Sequence, residues 1–182
     1  MASSLFRPAP TSTDSSILQL APVLHLADPH RSVLAIAPAP PCPITGRTVL
    51  AALSDALGRV IIFDVDRGQA VRIVKGVRGA QCAWGAIPIC AQGSDSKSDS
   101  SPARVLILFI YLPNRGILEA HIAGGGRVGA VNVARGGRLV SEHNGILGAG
   151  AQGRWTGGVG GVWIVESGGR IRKVEVGLDM SI

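Results

Sequence analysis

DALGRVIIFDVDRGQAVRIVKGVRGAQCAW, from Asp55 to Trp84, is the stretch whose reading decides the fold. Gly58 punctuates it, and Arg59 to Val65 is a β-branched, apolar run. Asp66-Arg67-Gly68-Gln69 has the Asp and Gly chemistry of a tight turn, and Ala70 to Val74 returns as a second apolar run. A charged loop, Lys75 to Gly79, leads into a third strand from Ala80 that carries Trp84. Two apolar strands joined by a short polar turn make a hairpin, and a hairpin cannot bury its own faces. The surrounding chain must therefore supply more strands.

It does so on both sides. Residues Met1 to Ser16 are polar and without period and read as a disordered leader. From Ile17, Leu18, Leu20, Leu24 and Leu26 alternate with other residues, while Pro22 limits the run to an edge strand or an extended lead-in. Asp28-Pro29-His30-Arg31 is a turn, Val33 to Ala37 a short strand, and Pro38 to Pro43 a surface loop. Arg47 to Leu57 is ambiguous: Leu50, Leu53 and Leu57 fall at helical spacing, but the run is short and enters a hairpin at once, which favours a strand over Val49 to Leu53. Ser94 to Pro102 is a solvated, low-complexity loop open to phosphorylation or proteolysis. Arg104 to Leu112 is apolar on both faces, as in a strand covered on both sides.

Turns at Pro113-Asn114-Arg115-Gly116 and Gly124 to Gly126 then separate strands Ile117 to Ile122 and Val128 to Val133. A constant shift that lays Ile61 on Leu118 also lays Val65 on Ile122 and Val71 on Val128, and Val162 to Glu166 with Ile171 to Val176 form a third strand-turn-strand. This recurrence of antiparallel, four-stranded units predicts an all-β chain built as a partial β-propeller of WD-repeat-like blades over residues 17–182. The blades run Val33 to Lys75, Ala80 to Val133 and, incompletely, Leu139 to Val176. Propellers close with about four to eight blades, so this reading expects an incomplete fragment, or closure by another copy.

Composition agrees with short strands: Gly 25 and Pro 11 are scattered between apolar runs, and 46% hydrophobic content is enough for a core. No apolar run approaches the roughly 20 residues of a bilayer-spanning helix. The net charge is +6, but the basic residues stand singly and the only aromatics are three Trp, three Phe and one Tyr, a poor supply of stacking platforms. That pattern argues against nucleic acid and for an acidic protein surface or anionic headgroups.

Catalytic chemistry is poorly served. Gly124-x-Gly126-x-x-Gly129 and Gly148-x-Gly150-x-x-Gly153 have dinucleotide-loop spacing, but the residues after them are too short and β-like to open the helix such a site needs. His25, His30, His121 and His143 are scattered, and Cys42, Cys82 and Cys90 lack metal-ligand spacing and read as buried thiols of a reducing compartment. No catalytic residue, cofactor or metal is expected. Asp64 and Asp66 are explained by the turn. The set that stands out is Arg72, Lys75, Arg78, Gln81 and Trp84, a basic cluster beside an indole that would suit an acidic partner surface; the alternative is a solvated loop beside a core tryptophan.

The same residues carry a family likeness. LADPHR (Leu26 to Arg31), D-x-x-G-R-V-I (Asp55 to Ile61), D-V-x-R-G (Asp64 to Gly68), V-R-I-x-K-G-x-R-x-A-Q (Val71 to Gln81), Trp84, L-F-I-Y-L-P-N-R-G-I-L-E (Leu108 to Glu119) and G-G-R-V-G-A-V-N-V (Gly125 to Val133) resemble the N-terminal domain of the regulatory, non-catalytic subunit of the Rab GTPase-activating complex of the Rab-three type. The resemblance implies an all-β cytoplasmic scaffold that binds the catalytic subunit, supports regulation of a Rab GTPase in vesicle trafficking and attaches peripherally to endomembranes, while the transition-state arginine comes from the other subunit. Val77 and Gly79 around Arg78 depart from the family's aromatic and acid. A free-standing interaction module of the same fold is the alternative.

Overall fold

The computed structural model describes residues 30–42, 47–88, 104–141 and 161–175. The leader, the Ile17 to Leu26 run, the Ser94 to Pro102 loop, Cys90 and the second glycine motif lie outside them. The described residues form strands and turns without a helix: β1 Val33–Pro38, β2 Leu50–Asp55, β3 Arg59–Asp64, β4 Gln69–Lys75, β5 Gln81–Pro88, β6 Arg104–Leu112, β7 Ile117–Ile122, β8 Arg127–Asn132, β9 Arg138–Ser141, β10 Val162–Val165 and β11 Ile171–Val174. Each sheet is an antiparallel meander, β1-β2-β3-β4, β5-β6-β7-β8 and β9-β10-β11.

The ambiguous segment before the hairpin is strand β2. Ala52 explains why: it packs against the neighbouring sheet, where a larger side chain would hold the layers apart, while Ala51 is buried on the other face. Leu57, which completed the helical spacing, is instead exposed in the β2–β3 turn.

The sheets stack face to face. Ala37, Ala52, Val60 and Ile62 of the first meet Trp84, Leu108, Ile110 and Leu112 of the second. The opposite face of the second sheet, with Ala83, Ile107, Phe109, Tyr111 and Leu118, meets Val162 and Ile164 of the third. This is why β6 is apolar from Val105 to Leu112: consecutive side chains point to opposite faces and both faces are covered.

The first two sheets repeat one another in detail. Gly58 and Gly116 open β3 and β7 with φ of 76° and 67°, and their carbonyls accept from Val77 N at 2.9 Å and Val133 N at 2.8 Å. The β3–β4 register shifts after Ile62 and the β7–β8 register after Ala120. These equivalences correct the alignment of Ile61 with Leu118 by one residue, which matters because a one-residue slip exchanges the faces of a strand. Val60, which faces the second sheet, corresponds to Leu118, which faces the third. Among the described residues the sheets do not close into a barrel or propeller.

Candidate functional site

All three sheets present the same kind of connection at one end: the turns β2–β3, β6–β7 and β10–β11, and the crossings β4–β5 and β8–β9. Asp55 anchors the first turn. Its carboxylate accepts from the Arg59 backbone N at 2.9 Å and from Arg59 Nε at 2.7 Å, and Arg31 Nε lies 4.0 Å away. Burial pushes the Asp55 carboxyl up, but the hydrogen bonds from the Arg59 backbone and guanidinium, with the guanidinium charge, outweigh it and hold the group below its ordinary value. At the opposite end Asp64 does the same for the β3–β4 turn, accepting from Arg67 N at 2.9 Å and Arg67 Nη1 at 2.8 Å, and those bonds lower its pKa.

The five residues singled out from sequence separate. Trp84 is 1% exposed, in the core between the first two sheets, and its Nε1–H donates to the Ala37 carbonyl at 2.8 Å. Gln81 belongs to the other seam: its Nε2 donates to the Gly137 carbonyl at 3.4 Å and its Oε1 accepts from Leu139 N at 2.7 Å. Both side chains tie sheets together and leave no indole beside the basic residues. Arg72, half-buried, faces the second sheet opposite Ile62, whereas Lys75 is exposed and three residues on, so the two point to opposite faces of β4. Only Lys75 and Arg78 share a surface, at the turn end, where Arg78 packs against Gly58.

Further arginines stand at that end. Arg115 and Arg135 are exposed, and the connections lie close together: a Cβ placed on Gly58 would meet Arg78 Cβ at 3.1 Å, one on Gly79 would meet Asn114 Nδ2 at 3.8 Å, and one on Gly116 would meet Arg135 Cγ at 2.8 Å. The Gly136 N donates to the Pro113 carbonyl at 3.0 Å. A signal for them exists in the sequence. Arg78-Gly79, Arg115-Gly116 and Arg135-Gly136 are each an arginine followed by a glycine with positive φ, a form that Arg67-Gly68 at the opposite end shares, so it marks turns without grouping them.

Among the described residues, the groups that could carry chemistry do not assemble into a reacting site at either end of the sheets. The described glycine motif spans the β7–β8 turn and enters strand β8, with no helix to receive a pyrophosphate. His121 lies between the first two sheets with Nε2 3.0 Å from Glu119 Oε2, and Arg127 Nη1 is 3.1 Å from the other carboxylate oxygen. Cys42 and Cys82 are half-buried instead of fully buried; desolvation still pushes the Cys82 thiol up to about 12 and removes it as a nucleophile at neutral pH.

Comparison with known proteins adds one match. The model of the family described as the Rab3 GTPase-activating protein regulatory subunit N-terminus covers residues 6–140. No solved structure matches the chain.

Proposed function

Because the chain belongs to the Rab3 GTPase-activating protein regulatory subunit family, matched over that subunit's N-terminal region, we propose that it is a non-catalytic scaffold that docks onto the catalytic subunit of a Rab GTPase-activating complex. The family match across residues 6–140 is the observation that carries this reading. In it the chain works in the cytoplasm on vesicle trafficking, reaches a Rab GTPase through the catalytic subunit, attaches peripherally to endomembranes, and supplies no catalytic arginine. The three stacked meanders are consecutive blades of a propeller; the repeated turn, register shift and face assignment of the first two sheets support that arrangement.

Arg72, Lys75 and Arg78 remain the proposed partner contacts, with Gln81 and Trp84 acting behind them by fixing the sheets. The test is co-expression with the catalytic subunit from the same organism, followed by size-exclusion chromatography. A co-eluting complex is expected, weakened when Lys75→Ala and Arg78→Ala are combined and the melting curve is unchanged. A chain that elutes alone and monodisperse would sink the scaffold reading, and a double variant that binds as well as wild type would remove the contacts.

A further inference from the structure

Every carboxylate among the described residues already has a cationic partner: Asp55 with Arg59, Asp64 with Arg67, Asp66 with Arg47, Glu119 with Arg127, Glu166 with Arg172, and Glu175 with Lys173. The cations left without one are not scattered. Among cations whose side chains are described, and apart from Arg72 on the face of β4, they are Lys75, Arg78, Arg115, Arg135, Arg138 and Arg170, and all stand at the turn end of the three sheets. Lys75 closes β4, Arg138 opens β9, and the other four lie in successive connections. The opposite end carries the compensated pairs Arg67–Asp64 and Arg47–Asp66.

Such segregation gives this end an excess of positive charge over its two paired carboxylates, Asp55 and Glu166, and backbone bonds from Val77 N to Gly58 O, Val133 N to Gly116 O and Gly136 N to Pro113 O fix neighbouring connections in relative position. Five of the six cations are arginines, whose planar fork pairs bidentately with carboxylates. The turns expose Leu57 as a large apolar residue but no aromatic side chain, and shallow membrane insertion relies on aromatic and leucine side chains. We propose that the row Arg78, Arg115 and Arg135, flanked by Lys75, Arg138 and Arg170, is a docking surface for an extended acidic polypeptide segment rich in Asp and Glu. This deepens the reading of Lys75 and Arg78 as partner contacts and rests on it for those two residues.

Fluorescence anisotropy of a labelled poly-glutamate peptide of about 20 residues against the full chain tests the proposal. Such a peptide is long enough to cross several turns at about 3.3 Å per residue. The expected result is saturable binding that weakens as salt shortens the screening length from about 10 Å at 0.1 M toward 3 Å at 1 M. Combining Arg78→Ala, Arg115→Ala and Arg135→Ala should weaken it about tenfold or more, while Arg47→Ala, Arg127→Ala and Lys173→Ala together, which remove the same charge elsewhere, should change it less than about twofold. The row side chains are exposed and unpaired, so the triple variant keeps its fold, as its melting curve will show. Equal loss in both variants, no loss in the row variant, or flotation with phosphatidylserine vesicles in place of peptide binding would overturn the proposal. The peptide stands in for no particular subunit, so the row can fail while co-elution with the catalytic subunit succeeds, and the reverse.

Discussion

The indole N–H of Trp84 donates to the Ala37 carbonyl across the gap between two sheets, over a sequence separation of 47 residues. It is a structural tie to β1, an edge strand whose ladder pairing is with β2 alone and which leaves Leu34 and Ile36 exposed. Trp84→Phe keeps an apolar ring and deletes the donor that ties the second sheet to β1, while the Ala37 carbonyl keeps its place opposite Ala52 in the β1–β2 ladder. The expected cost is about 0.5–1.5 kcal/mol of stability, read from the urea midpoint, with partner binding by the folded fraction unchanged. A variant of wild-type stability that binds its partner poorly would instead return Trp84 to the interface.

Gly58 and Gly116 occupy equivalent turns but are not equally replaceable. A Cβ at Gly58 would stand 3.1 Å from the Arg78 Cβ and 3.2 Å from its backbone, contacts that a small shift relieves, whereas one at Gly116 would stand 2.6 Å from the Val133 carbonyl oxygen. Both substitutions carry the strain of positive φ, about 1 kcal/mol or more. Gly116→Ala should therefore lower the melting temperature further than Gly58→Ala. Equal losses would mean that the β7 turn gives way freely.

Asp55 should show itself in acid. Its folded-state pKa lies below the ordinary 3.8, so the unfolded chain binds the proton more readily and stability rises with pH through this window. The contribution is complete above about pH 3.8 and is lost as pH falls through the folded value. Asp55→Asn is expected to cost about 2 kcal/mol or more at pH 7, because Arg59 loses its carboxylate, and to flatten the acid limb of a stability profile taken between about pH 2 and pH 5. Asp64, shifted in the same direction, keeps some slope in the variant. An unchanged acid limb would show that the Asp55 pairing contributes nothing.

Much of the strand layout was readable from local chemistry. The Asp66-Arg67-Gly68 turn, the two-faced apolar run of β6 and the glycine turns around β7 were each specified within a few residues. β2 needed more, since its leucines mimic a helix and only the tight approach of the neighbouring sheet selects small side chains in an extended conformation. The repeat was visible, but not its phase. Apolar residues sit on both faces of β3, so hydrophobicity alone could not choose between neighbouring alignments, and the positive-φ glycines Gly58 and Gly116 do.

The candidate site was less legible. Lys75 and Arg78 are a few residues apart and were found together. Gln81 and Trp84 were grouped with them by proximity in sequence, although their partners Gly137 and Ala37 lie 56 and 47 residues away. No spacing encodes such pairings. Arg115 and Arg135 lie too far from Arg78 in the chain to be grouped with it, and only the stacking of turns brings them into one row.

Within the middle sheet, strand β6 has no spare side. Along the described part of β6 every position is committed to one neighbour or the other, so mutational tolerance is distributed unevenly across the molecule. An outer strand such as β8, exposed along its whole length, can drift toward charge with little consequence. In β6 a change to a charged residue reaches a packed seam whichever way its side chain points, and the layers on both sides lose their common wall.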